Sequence, residues 1–406
     1  MNLLFITPYL PSENSGHAGA QLIFRNVKYL SKKHKIQIVS FISSKETEHL
    51  PELKNLGIKI VLVKYNRNQS GLLGIILGIV NNFKAILKSM FGRESFFTAK
   101  YNRRSMKKTL VKINDNFQPD IVQFEYNVMH HYVYLFPSIP KILMQHDILT
   151  KVYERSYKNA KKWIQRLKIK KIYKIMEKQE HLWMRKFNRI ITLTDEDKKY
   201  CIDNWIDLPP IDVVPPQIYI NNVPKKKNKQ ELCFVGSFNR EPNIVAVDIL
   251  LEKIVPGIQK QVPELKLKIA GKYLPKYLNN KIRTMINVQY FGFVEDIDSF
   301  IGEAILFLAP ITIGAGLKMK NTHALACGTA VCTTTVGAEG IPFSPKEGLW
   351  IEDSIDKTIS LCIDLLKRPD ELIRAGKRGK KVVQEYYSPR KIVGKLQHIY
   401  DNLANK

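Results

Sequence analysis

Lys318 and Lys320 follow a loop of small residues, Gly314-Ala315-Gly316-Leu317, which itself follows an apolar run at residues 305–309. Backbone N–H groups in such a loop, with two ammonium groups beside a helix start, could bind a diphosphate. The plainer alternative is a flexible turn before a solvated basic helix; the place after a strand end favours a site. The loop Ser15-Gly16-His17-Ala18-Gly19 follows the first apolar run of the chain. Gly16 and Gly19 would let an anion or a polar sugar group approach the backbone at a helix N-terminus. The loop lacks the third glycine of the dinucleotide fingerprint, which argues against an NAD domain, and a plain strand-to-helix turn explains it equally well. In Gly236-Ser237-Phe238-Asn239-Arg240-Glu241-Pro242-Asn243, Arg240 could clamp a phosphate with two hydrogen bonds or could be a surface arginine in a capped turn. Glu125 and His146-Asp147 stand just past two further apolar runs, where they could orient an acceptor hydroxyl or take its proton. Lone histidines in such places are more often hydrogen-bonded scaffold. His130-His131, in a Tyr-rich region with no third ligand at metal spacing, is read as structural.

The elements around these residues give them a place. Apolar, β-branched runs at 3–7, 36–42, 58–63, 120–124, 141–144 and 189–193 alternate with helical spacing such as Leu22, Ile23, Val27 and Leu30. Strands that are apolar throughout and separated by helices belong to a parallel sheet covered on both faces. Prolines and a lysine run between 214 and 230 read as a linker. The rhythm then restarts with runs at 232–235, 265–270, 288–291, 305–309 and 330–334, and a helix over 243–255. The expected class is therefore α/β: two Rossmann-like doubly wound parallel-sheet domains in series, facing a central cleft, with ligands beyond the carboxyl ends of the strands.

Composition narrows the function. Of 406 residues, 45% are hydrophobic and 25% charged, proportions that exclude disorder and a disulfide-stapled miniprotein. Cys201, Cys233, Cys327, Cys332 and Cys362 are scattered without a C-x-x-C pair, which argues against a zinc site and suits a reducing cytoplasm. Sixty-four Lys+Arg against 37 Asp+Glu give a formal charge of +27, which implies an anionic partner. Residues 151–189 hold 14 Lys+Arg against three acids, with Trp163, Leu167, Ile172, Ile175 and Trp183 between them. Such a basic amphipathic region fits an anionic membrane surface or a polyanionic acceptor, with a solvated helix face as the plain alternative. No helix-turn-helix, RNP or zinc-finger pattern accompanies the charge, so nucleic acid is not an expected partner. The start of the chain reads as a buried strand rather than a leader. The apolar residues 71–80 are too few to span a bilayer, which needs about 20.

Together these motifs resemble the bacterial family 4 glycosyltransferases, retaining enzymes of the two-Rossmann GT-B fold. The resemblance runs from Ile6-Thr7-Pro8-Tyr9-Leu10-Pro11 and the Ser15–Gly19 loop through Phe234-Val235-Gly236-Ser237 with Pro242-Asn243, to Gly292-Phe293-Val294-Glu295-Asp296. Its most specific block is Gly314-Ala315-Gly316-Leu317-Lys318-Met319-Lys320 with Ala324-Leu325-Ala326-Cys327-Gly328 and Val336-Gly337-Ala338-Glu339-Gly340. It implies an acceptor domain at 1–215 plus a returning helix at 387–406, and a nucleotide-sugar domain at 216–386. It further implies Gly16, Gly19, Gly236, Ser237, Gly314, Gly316, His323, Ala324 and Glu339 on the donor. Lys318, Lys320 and Arg240 would lie by its phosphates, and His146 and Glu125 by the acceptor. No metal or other cofactor, and no protein nucleophile, is expected.

Four positions depart from the family pattern. His323 stands where the family carries its second glutamate, and Ala315 stands eight residues earlier, at the first. Ser237 replaces the usual arginine after the glycine, with Pro242 where a lysine is common. The resemblance implies a glycosyltransferase acting on a surface polysaccharide or lipid-linked glycan, cytoplasmic and peripheral on the inner membrane face. The departures keep open a non-catalytic GT-B subunit that partners another glycosyltransferase.

Overall fold

The computed structural model describes residues 1–15, 17–65, 72–160, 162–220, 223, 227–314 and 316–404, with backbone only at 44–45, 72–79 and 81. The chain divides into two compact units, Met1–Gln217 with Pro389–Lys406, and Ile218–Ser388.

The first unit has seven parallel strands: β1 (Asn2–Thr7), β2 (Lys35–Ile42), β3 (Lys59–Lys64), β4 (Ile121–Glu125), β5 (Lys141–Gln145), β6 (Arg189–Thr192) and β7 (Ile211–Val213). Their order is β3-β2-β1-β4-β5-β6-β7. Alternate residues feed two separate cores: Leu4, Ile6, Val39 and Phe41 face one, while Leu3, Phe5, Ile36 and Ile38 face the other. That division is why the central runs lack a polar face in sequence: β1, β2, β4, β5 and β6 bury both of their faces. The helix Pro389–Ala404 completes the second core with Ile392, Leu396, Ile399 and Tyr400. Tyr400 also donates its hydroxyl to Gln123 Oε1 on β4 at 2.6 Å.

The second unit has six parallel strands: β8 (Asn228–Val235), β9 (Lys266–Ala270), β10 (Val288–Tyr290), β11 (Ala304–Ala309), β12 (Ala330–Thr333) and β13 (Leu349–Ile351). Their order is β10-β9-β8-β11-β12-β13. In both sheets the order reverses beside the first strand, between β1 and β4 and between β8 and β11. Ligands of open parallel sheets bind at such reversals, past the strand ends.

Two strands exceed the sequence expectation. β7 and β13 are three-residue strands at sheet edges that the sequence reading did not expect. The helix expected over 243–255 runs as Glu241–Ile249, widens into a π-turn at Leu250–Ile254 and resumes at Val255–Gln259. Pro256 explains the widening, since its ring has no N–H and crowds the carbonyl one turn back. The basic stretch forms two helices, Leu149–Asn159 and Trp163–Met184. Among the described residues no helix is long and apolar enough to cross a membrane.

Candidate functional site

In the second unit the strand-end loops converge because glycine lets backbones touch. Gly236 N, just past β8, donates to Ala270 O at 3.0 Å, and Gly271 N donates to Gly292 O at 2.7 Å. A Cβ on Gly271 would lie 1.7 Å from Gly236 O, at a φ of +144° that side chains rarely adopt. A Cβ on Gly236 would lie 2.9 Å from Lys320 Nζ. The turn is therefore shaped around that ammonium.

Lys320 sits in the first turn of the helix Met319–Ala326, which follows β11 across the sheet reversal. Its ammonium donates to Asn243 Oδ1 and lies 4.6 Å from the Phe234 ring centre. The Asn243 amide in turn donates to Ser237 O at 2.7 Å, which ties the β8 loop to the lysine. Burial, and after it the Lys318 charge, push the Lys320 ammonium down to about 7. Lys318 turns the other way: its ammonium donates to Gly316 O at 2.6 Å and stands 4.0 Å from a Glu339 carboxylate oxygen. Gly314 and Gly316 hold φ of +117° and +73°, which suits glycine and little else. Lys318 thus stands at Gly316 and Lys320 at the Gly236 turn, both past strand ends at the sheet reversal, an arrangement that suits an anion with several oxygens.

The other residues expected here are placed differently. Ala315 and Gly16 lie outside the described residues. Ala324 is fully buried in the unit's core, so its side chain packs there. Arg240 is exposed at the start of the helix Glu241–Ile249. His323 turns its Nε2 to Asp298 Oδ1 at 2.6 Å. Ligand atoms of Asp298, His323 and Cys327 lie within 4.8 Å of one another. Asp298, 25 residues before His323 in the chain, gave no sequence signal.

The first unit assembles a second group at its own reversal. Glu125, at the end of β4, is fully buried and accepts from Gln123 Nε2 at 2.6 Å, while its other oxygen lies 2.8 Å from His146 Nε2. Both oxygens of Glu125 are therefore engaged inside the protein, and it acts on its surroundings through the His146 ring. That ring stacks on Tyr126 at 3.7 Å. Tyr126 holds φ +67°, a strained value for a residue with a side chain, and such strain concentrates at functional sites. Burial, then the Asp147 charge, push its phenol well above the ordinary range, so it stays neutral. Tyr9 stacks on His17 at 4.2 Å and meets Tyr126 edge-on at 5.7 Å. A Cβ on Gly19 would lie 1.6 Å from the Tyr126 hydroxyl, so the first turn of the helix Ala18–Leu30 closes against this ring. Tyr9, His17 and Tyr126 were not expected as site residues; Tyr9 and Tyr126 are aromatics just past strand ends, the readable signal, while His17 precedes the first helix.

The basic region presents Trp163, Ile164 and Leu167 to solvent, at 71%, 52% and 57% exposure. Lys171 Nζ donates to Met90 O at 3.0 Å, which joins this helix to the end of the helix Leu72–Met90. Phe83, Met90 and Phe91 are also exposed there.

Residues 229–368 match the family described as "Glycosyl transferases group 1". An uncharacterized 44.6 kDa protein in the cps region of Klebsiella pneumoniae is 24% identical over 172 residues, 41% of this chain and 44% of that protein. The matched stretch thus spans less than half of that relative's length. Sucrose-phosphate synthase from Thermosynechococcus elongatus superposes with a TM-score of 0.69 at 12% identity, over 99% of each chain. HepE of Anabaena, solved in complex with UDP, superposes with a TM-score of 0.67 at 11% identity, over 99% of this chain and all of HepE. The matched segment supports glycosyl transfer, and the solved structures show the fold. The likeness to family 4 glycosyltransferases seen in the motifs holds at this level: the chain has the GT-B fold, and its second unit carries a group 1 glycosyl transferase segment.

Proposed function

We propose that the protein is a retaining glycosyltransferase that moves a sugar from a nucleotide-sugar to a surface polysaccharide or lipid-linked glycan. The observation that carries this reading is the pair Lys318, at Gly316, and Lys320, at the Gly236 turn, both beside the β8/β11 reversal. When the bond between the anomeric carbon and the diphosphate breaks, negative charge grows on the leaving oxygens. Cations already fixed at that place stabilise the charge without reorganising. His146, held by Glu125, and the neutral Tyr126 are suited to orient an acceptor hydroxyl. No protein nucleophile and no metal is assigned to the reaction. UDP in the HepE complex supports a nucleotide-sugar as donor. The exposed Trp163, Ile164 and Leu167 among lysines support work at the anionic inner membrane face.

The test is donor turnover with purified protein, by transfer or hydrolysis. Lys318→Ala and Lys320→Ala should each lower the rate on the order of 10²-fold, as loss of one fixed electrostatic donor does. Wild-type rates in both variants would remove the lysines from the reaction. A second reading rests on His323, which stands at the family's glutamate position and is committed to Asp298. In that reading the chain is a non-catalytic GT-B subunit that partners another glycosyltransferase. Turnover of any nucleotide-sugar by the chain alone refutes it.

A further inference from the structure

Given the acceptor role proposed for His146, the geometry points to Tyr400 and Gln123 as positioning residues for the transfer. They act through Glu125 to fix which nitrogen of His146 offers its lone pair to the acceptor hydroxyl. All four residues belong to the first unit, which includes the returning helix Pro389–Ala404.

The four side chains form one buried line from the last helix to the end of β5. Tyr400 Oη donates to Gln123 Oε1 at 2.6 Å, and Gln123 Nε2 donates to Glu125 Oε1 at 2.6 Å. Glu125 Oε2 lies 2.8 Å from His146 Nε2. None of the four is more than 6% exposed. The register of β4 builds the line, because Ile121, Gln123 and Glu125 alternate onto one face of the strand. Ile121 and Tyr400 share the core that the last helix completes, while Val122 and Phe124 face the other core. Gln123 is thus an amide at a core position, and the phenol of the last helix meets it there. Sequence spacing hides the pair, since 277 positions separate Tyr400 from Gln123.

The line has a direction. A phenol has one proton to donate and an amide oxygen only accepts, so Tyr400 turns the Gln123 NH₂ towards Glu125. Burial, then the Glu125 charge, push the Tyr400 phenol well above the ordinary range, so that proton stays in the line. Glu125 takes hydrogen bonds from both sides as a carboxylate, and His146 Nε2 carries the proton between them. His146 Nδ1 is left with its lone pair. It faces the first turn of the helix Ala18–Leu30, where a Cβ on Gly19 would lie 3.1 Å from it. Glycine therefore keeps that nitrogen uncovered. A hydroxyl that donates to Nδ1 turns an oxygen lone pair outward, the orientation that attack on an anomeric carbon needs. With the proton on Nδ1 instead, the imidazole would donate into that lone pair and hold the hydroxyl the wrong way round.

The test is nuclear magnetic resonance of the full chain with ¹⁵N-labelled histidine between pH 6 and 9, with His146→Asn identifying the His146 signals by their loss. Neutral His146 in the wild type should carry its proton on Nε2. Gln123→Leu and Tyr400→Phe should each move a large share of the neutral ring to the Nδ1–H form, with wild-type far-ultraviolet circular dichroism. Tyr400→Phe removes one oxygen and keeps the ring in its core. A wild type protonated on Nδ1, or an unchanged tautomer in both variants, would overturn the relay. With any nucleotide-sugar that the chain turns over, kcat in both variants should fall on the order of 10²-fold at unchanged donor KM, the scale of a misaligned reacting group. Wild-type kcat in both would overturn their part in the transfer. Failure to turn over any nucleotide-sugar would remove the glycosyltransferase reading, while the tautomer would still decide the relay itself.

Discussion

Lys320 concentrates the conflict between folding and function in one side chain. Its ammonium is packed under Gly236 and against Phe234, and burial with the Lys318 charge holds it down to about 7. In the unfolded chain a lysine titrates near 10.4. Between these values the unfolded state binds more protons than the folded one, so this group makes stability rise with pH from about 7 towards 10. Below 7 both states carry the proton and the full penalty of a buried charge is present. Lys320→Met should therefore be more stable than wild type at pH 6, with the difference shrinking as pH climbs to 10. Urea midpoints at a series of pH values measure it, and a constant difference would show that the lysine is uncharged or solvated throughout. An anionic donor restores a reason for the charge, which is the trade expected of a site held ready for a diphosphate. The lysines and glycines of this loop were legible in sequence because both their types and their place after a strand carry meaning. The partners Asn243 and Asp298 were not, since only the fold brings Asn243 to Lys320 and Asp298 to His323.

At the scale of elements, the strands were legible where burial on both faces makes an apolar run, as in Leu3-Leu4-Phe5-Ile6, which serves two cores at once. β7 and β13 escaped: both are three residues long, and Asp212 breaks the apolar run in β7. The helix Trp163–Met184 shows what periodicity leaves open. Its charge excess alone fits any solvated face; the exposure of Trp163, Ile164 and Leu167 beside lysines is what supports the proposed work at a lipid interface. The protein should sediment with vesicles containing anionic lipid and stay in solution with neutral ones. The Trp163→Ala, Leu167→Ala double variant should lose most of that binding with its fold intact. Absence of binding to both vesicle types would remove the membrane from the account.

For the molecule as a whole, two Rossmann-like units of seven and six strands repeat one device: a sheet whose order reverses beside its first strand. The reversal in the first unit gathers Glu125, His146, Tyr126 and Gly19; that in the second gathers Gly236, Lys320, Lys318 and the Gly314–Gly316 loop. A formal charge of +27 suits a chain whose proposed partners, a nucleotide diphosphate and an anionic surface, are both negative. The central claim is that the second group binds a nucleotide-sugar. The most direct measurement is thermal unfolding of the full chain with UDP-, GDP-, ADP- and dTDP-sugars, for wild type and Lys320→Ala. A ligand that binds only the native state adds about 2.7 kcal/mol of stability at a hundredfold excess over Kd. The account predicts a clear upward shift with the sugars of one base, absent in the variant. No shift with any of them at millimolar ligand, or the same shift in both proteins, would contradict it.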